Sequence, residues 1–169
     1  KMLNRKPLVH PDFVVPDTFE TSRFALSMLT IHDIVRDYDA VMSSAEHLKA
    51  TYGDVYGRTW PEGLTLEDDL IDLGWHQREF TIRRSFAYKV ESPDRSAYLG
   101  CIYINATLKH DFDAMIMLWV RASELESGLD EDLFAAVKTW VAEVWPFERV
   151  AYPGRDISAA DWKSLPESD

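Results

Sequence analysis

Cysteine, glycine and positive charge are all scarce in this 169-residue chain, which carries one Cys, seven Gly, and 18 Lys and Arg against 29 Asp and Glu. Each scarcity excludes something. Cys101 has no partner for an internal disulfide, and its place in an apolar, strand-like segment reads as a buried thiol rather than a nucleophile. A formal charge of −11 repels polyanions. Nucleic acid and anionic membrane surfaces are therefore set aside as partners, and a small amine or other cationic substrate, or a basic peptide, is favoured. No apolar run exceeds Ala114 to Val120, far short of the ~20 residues of a bilayer-spanning helix. Pro7, His10, Pro11 and Asp12 follow the basic Lys1, Arg5 and Lys6 where a secretory signal needs an apolar stretch, so the expectation is a cytoplasmic protein. No G-x-S-x-G, P-loop or G-x-G-x-x-G occurs, which leaves hydrolase, NTPase and dinucleotide readings without support. No second His/Glu cluster accompanies His76 and Glu79, so no metal is expected.

What is present suits one core: 46% hydrophobic and 12% aromatic residues in a length that two independent domains would divide too finely. Residues 1–20 contain Pro7, Pro11 and Pro16 without lasting periodicity and read as an extended surface arm, ahead of a single domain over residues 21–169. Ser22 to Leu29 alternates as a strand. Thr30 with Asp33 forms a capping signature before Ile34, Tyr38, Val41, Ala45 and Leu48, one helical stripe. The glycines and proline of Thr51 to Gly63 predict a loop. Thr65 with Asp68 then repeats the cap before Leu66, Leu70 and Leu73.

Beyond Arg84 the composition turns to strand. Phe86 to Val90, a turn at Ser92 to Arg95 and Tyr98 to Ile104 predict an antiparallel hairpin, and Ala114 to Arg121 continues the sheet. An amphipathic helix runs from Leu129 to Trp145, with Ser127 and Asp130 expected to cap it and Pro146 to stop it. Phe147 to Tyr152 is a further strand, parallel to Ala114–Arg121 through a right-handed crossover. Ser158 and Asp161 cap a short final helix whose Trp162 and Leu165 are suited to covering the unpaired sheet edge.

Within this frame, His76 and Glu79 lie one helical turn apart, as a base and its orienting carboxylate would, or as an ordinary surface pair would. Cys101, Tyr103 and Asn105 share one strand face; Met115, Met117, Trp119 and Arg121 share another, either a soft pocket floor or core. Arg155 follows the turn Tyr152-Pro153-Gly154 and is placed to meet an anion.

The order strand, helix, helix, hairpin, strand, helix, strand joins a series of short motifs: Trp60-Pro61, His76 with Glu79-Phe80, Ser85-Phe86-Ala87-Tyr88, Leu99-Gly100-Cys101-Ile102-Tyr103-Ile104, Trp119-Val120-Arg121, Trp145-Pro146-Phe147 and Tyr152-Pro153-Gly154-Arg155. Together they resemble the GNAT acyl-CoA N-acyltransferase superfamily, in particular a bacterial GNAT-like subgroup of undefined substrate. The resemblance implies an α/β (α+β) fold: a mixed, mainly antiparallel sheet flanked by helices, here with a shortened C-terminus. It also implies acetyl-CoA as co-substrate, entering where two parallel strands splay apart. Leu118, Trp119 and Val120 would then pair with the pantetheine arm, Arg121 would reach a phosphate, and Gly128 and Leu129 would lie at the pyrophosphate turn. Tyr103 would donate to the thioester or thiolate, and His76 or Glu79 would help remove the amine proton.

One departure from that pattern matters physically. Leu125 stands at the turn's usual basic position and Asp130 at its last small one, while Glu124, Glu126, Glu131 and Asp132 add negative charge where pyrophosphate would sit. The resemblance thus implies an acetyltransferase for an amine, and the departure raises an alternative, a non-catalytic binding module on the same fold. A homodimer formed through the open sheet edge is a further expectation.

Overall fold

A computed structural model of the chain describes residues 6–168, so the first five residues of the expected arm lie outside the described ones. Six strands form one sheet in the order β1 (Thr18–Glu20), β2 (Ala25–Met28), β3 (Phe86–Glu91), β4 (Tyr98–Asn105), β5 (Ala114–Val120) and β6 (Val150–Ala151). Every neighbouring pair is antiparallel except β5 and β6, which run parallel with Ala114 opposite Val150 and Met115 opposite Ala151. The parallel pair follows from the helix α4 (Leu129–Val144) that crosses between them, as the amphipathic stripe predicts.

The sheet is covered on both faces. On one lies α4, whose Leu133, Val137, Trp140 and Val141 meet Leu26, Tyr88, Ile102 and Leu118. On the other lie α1 (Ile34–Met42), α2 (Ala45–Tyr56) and α3 (Leu66–Thr81), with Val41, Leu48 and Leu73 against Cys101 and Trp119. β5 is buried along its whole length because both of its faces are covered.

Local signals explain the helix starts. Thr30 and Asp33 form a complete capping box, as do Thr65 and Asp68, and the Ser158 side chain accepts from Asp161 N at the head of α5 (Ala159–Ser164). Elsewhere the structure corrects the sequence-based expectation. The arm is not extended throughout, since Thr18–Glu20 pairs with β2 as β1. The stripe from Ile34 to Leu48 is two helices, because buried Ser44 turns its hydroxyl to Ala122 N at 2.8 Å while Ser43 Oγ accepts from Arg121 at 3.2 Å. Thr51 to Tyr56 continues α2 rather than opening a loop, and Gly57, at φ 65°, ends it. Leu66 and Leu70 point outward, leaving Leu73 as the buried leucine of α3.

Two close approaches set the sheet's geometry. The β3–β4 register shifts so that Val90 faces Gly100 while Glu91 faces Tyr98, which makes Leu99 an extra residue and puts Tyr98 over the same helices as Cys101. Gly100 is required there, since a Cβ on it would lie 2.0 Å from Trp119 O. The expected strand Phe147–Tyr152 shortens to β6 because the chain turns at once: Tyr152 O accepts from Arg155 N and Asp156 N, and Tyr152 N donates to Asp156.

Beyond that turn, α5 lies over α2 and β5, with Trp162 buried among Val55, Met115 and Met117 and edge-on to Phe112 at 5.6 Å. It covers a sheet face rather than the edge of β6. Trp162→Ala is expected to lower stability by about 3–5 kcal/mol, the usual cost of emptying a buried tryptophan site, measured by chemical denaturation. Gly100→Ala is expected to abolish soluble folded protein, because the clash is with backbone that cannot move aside.

Candidate active site

Two regions flank β5. The first is the notch where β5 and β6 part. β6 pairs only with the first two residues of β5, so beyond Met115 the outer edge of β5 has no strand beside it. Arg155 fills part of that space. Its guanidinium donates to both carboxylate oxygens of Asp130, at 2.8 and 2.9 Å, and to Leu118 O at 3.2 Å, and it lies 5.3 Å from the Phe134 ring.

The N-terminus of α4 opens onto the same notch. Gly128, at φ 77°, both ends a 3-10 turn over Ala122–Ser127 and caps α4. Ser127 and Asp130 therefore do not form the expected box: Ser127 Oγ donates to Glu124 O at 2.8 Å and only weakly accepts from Leu129 N, while Asp130 holds Arg155. Asp132 pairs with Arg23, whose other nitrogen donates to Ser127 O. Leu118, Trp119 and Val120 have buried side chains, and Arg121 reaches Asp39, Ser43 and Tyr98 O. Thus the structure brings Gly128, Leu129, Leu118 and Arg155 to one place and directs Arg121 to the α1–α2 junction.

The second region lies under α1 and α3, on the opposite face. Asp37 of α1 accepts a short hydrogen bond from Tyr98 Oη, and Cys101 Sγ stands 3.1 Å from Tyr98 Oη and 3.6 Å from Asp37. Asp69 of α3 is buried against Asp37, and its Oδ2 has no partner among the described residues. Burial first, and then the neighbouring Asp37, pushes Asp69 up to about 9, and burial raises Asp37 also. Two neighbouring carboxyl groups away from water disfavour ionising together, which favours a retained proton on the pair. Burial and Asp37 together push the Cys101 thiol well up, so it is no nucleophile at neutral pH.

His76 is half-buried beside this cluster. Its ring stacks on Tyr103 with centroids 5.1 Å apart and planes 19° from parallel, and Trp75 meets it edge-on. Burial lowers His76 to about 4, so the imidazole is neutral at pH 7. Tyr103 Oη accepts from Trp119 Nε1 at 3.0 Å, and its own hydroxyl is a hydrogen-bond neighbour of the Cys101 thiol. Glu79 is buried, with Arg78 at 3.6 Å, and among the described residues no hydrogen bond joins it to His76. The face shared by Met115 and Met117 is core, closed by Trp162.

Sequence reasoning missed Asp37, Asp69 and Tyr98. A signal existed: Asp37 falls between Ile34 and Val41 on the apolar stripe of α1, and Asp69 one turn before Leu73. A carboxylate inside such a stripe is buried and has to find a partner. Because folding raises the Asp69 pKa, the folded state binds this proton more tightly than the unfolded chain does. Stability is therefore expected to fall as pH rises from about 4 to about 9. Asp69→Asn, which mimics the protonated acid, is expected to flatten that slope in denaturation curves taken across the range; an unchanged slope would remove the shared-proton description.

No family model and no curated protein matches the sequence. Solved structures match closely in shape. RimJ of Mycobacterium smegmatis, in complex with CoA-disulfide, superposes with a TM-score of 0.65 at 17% identity, covering 81% of this chain and 67% of RimJ. The microcin C7 self-immunity acetyltransferase MccE, in complex with acetyl-CoA and AMP, gives 0.65 at 11%, covering 82% and 73%. RimL, a ribosomal L7/L12 α-N-protein acetyltransferase in complex with coenzyme A, gives 0.63 at 15%, covering 82% and 72%. With its single antiparallel sheet ending in a parted parallel pair, this chain has the fold of the GNAT acetyltransferases.

Proposed function

We propose that the protein is an N-acetyltransferase that uses acetyl-CoA and acts on an amine. The observation that carries this reading is the notch: an unpaired stretch of β5 edge meeting a helix N-terminus at a glycine with positive φ. The backbone fits an extended arm ending in a pyrophosphate, with Leu118 to Val120 alongside the arm and the amides around Gly128 and Leu129 at the phosphates. The side chains fit less well, because Asp130 holds Arg155 and Glu126 and Glu131 add negative charge. Weak binding of acetyl-CoA is the consequence.

Acetyl-CoA supplies an activated thioester carbonyl. The chain's own part is proton handling and positioning. A neutral amine is needed for attack, and His76, unprotonated at neutral pH, is able to accept a proton; buried Glu79 is the second candidate. Tyr103, held by Trp119 Nε1, is the candidate to give a proton to the departing sulfur. Trp119 follows Leu118 on β5 and donates to Tyr103, so the strand that edges the notch also carries the contact to this tyrosine. The acceptor is read as cationic from the charge of −11, and RimL's protein α-amine makes polypeptide N-termini candidates beside small amines.

The test is incubation with acetyl-CoA and a panel of small polyamines and peptide N-termini, read by acceptor mass and by melting temperature. Acetylation of an acceptor is expected, with Tyr103→Phe lowering kcat about 10²-fold at little change in KM. No acetylation and no shift in melting temperature at saturating acetyl-CoA would leave the alternative of a non-catalytic module. Glu126→Gln with Asp130→Gly is expected to tighten acetyl-CoA about tenfold, through loss of two opposing charges and release of Arg155. An unchanged Kd by calorimetry would refute the electrostatic argument.

A further inference from the structure

The outer face of α3 carries a pattern that the fold does not use. Its buried residues are Asp69, Leu73 and Glu79, with His76 half-buried among them. At 100° per residue the opposite stripe runs Glu67, Ile71, Gly74 and Arg78, flanked by Leu70 and Trp75. Leu70, Ile71 and Trp75 are 42%, 62% and 46% exposed, an apolar strip in the middle of a helix with an acid at one end and a base at the other. Exposed apolar surface of this kind marks a contact.

The stripe is symmetric about its midpoint, between Asp72 and Leu73. A second α3 laid against it in the opposite direction sets Glu67 against Arg78 and Ile71 against Gly74, with Leu70 and Trp75 on the two flanks, and a two-fold axis makes both pairs occur twice. Gly74 supports the same geometry independently. Glycine is disfavoured inside a helix, and its own chain does not demand one there: a Cβ would have its nearest neighbour at 3.8 Å, an ordinary contact with Ile31. A helix crossing close to that position would demand it. A basic polypeptide on this face would meet Arg78 and an acidic one Glu67, whereas a second copy satisfies both ends.

We propose that the protein forms a two-fold dimer through antiparallel packing of α3 on α3, with Ile71 of each copy seated over Gly74 of the other. The contact places Trp75, and behind it His76 and Tyr103, under the interface.

Sedimentation velocity over a range of concentrations tests this. The wild-type chain is expected to sediment as a dimer. Glu67→Arg and Arg78→Glu, each of which brings two like-charged pairs together, are expected to weaken association at least tenfold, and the double variant to restore it. Gly74→Leu is expected to give a monomer whose circular dichroism matches the wild type, which separates a blocked interface from a misfolded chain. A wild type that stays monomeric overturns the proposal, including the case in which hydrogen exchange along α3 slows only on adding a polypeptide substrate. So does a dimer that the single charge reversals leave intact, because another face must then form it.

Discussion

Arg155 bound to Asp130 is the interaction on which the rest of the C-terminal half depends. The turn after Ala151 is short, and β6 contributes only two residues of pairing, too little to hold the segment against the sheet. A two-pronged guanidinium–carboxylate contact, partly shielded from water and lying over Phe134, fastens that turn to the first turn of α4. Charge-assisted bonds of this kind contribute about 1.5–3 kcal/mol when well shielded, and less here with a fifth to a quarter of each side chain exposed. The third bond, to Leu118 O, satisfies a carbonyl on the stretch of β5 that has lost its strand neighbour. Edge protection and the parting of the strands are thus the same contact seen from two sides.

The polar cluster beneath α1 and α3 has the opposite character. Asp37, Asp69, Tyr98 and Cys101 are all buried, and two of them are acids that water would ionise. Their presence in a core that packs well around them is a cost, reduced by the Tyr98 hydrogen bond and by a retained proton. The β-bulge at Leu99 is what lets Tyr98 reach Asp37, since without the extra residue Tyr98 would face α4 instead. Strained or costly arrangements of this type concentrate where chemistry is done, and here the cluster adjoins the stacked His76 and Tyr103.

Much of the fold was legible because its signals are local. The boxes at Thr30 and Thr65, the hairpin between β3 and β4, and the stripe Leu133, Val137, Trp140 and Val141 all depend on residues within a few positions of one another. What was missed is non-local. β1 exists because β2 offers it an edge, and the α1–α2 break exists because Ser43 and Ser44 are taken by Arg121 and Ala122, some 78 residues away. The site shows the same division. His76 and Tyr103 stood out as residue types able to carry protons, but their stacking follows from how α3 lies on β4, and the closeness of Asp37 to Asp69 from how α1 lies beside α3, neither of which periodicity encodes.

The acids of α4 show why local electrostatics alone misread the notch. Asp130, Glu131 and Asp132 complement the helix dipole, which accounts for their presence without any ligand. Yet two of them also reach across the chain: Asp130 to Arg155 and Asp132 to Arg23, so that one helix terminus clamps the turn after β6 and the turn between β1 and β2 together. A terminus used in this way is no longer a bare positive pole. Any phosphate entering it has to compete with carboxylates that are already satisfied, and the arginine best placed to receive it is the one the fold is using. In the proposed acetyl-CoA reading, phosphate affinity would therefore be coupled to how firmly the C-terminal segment is held.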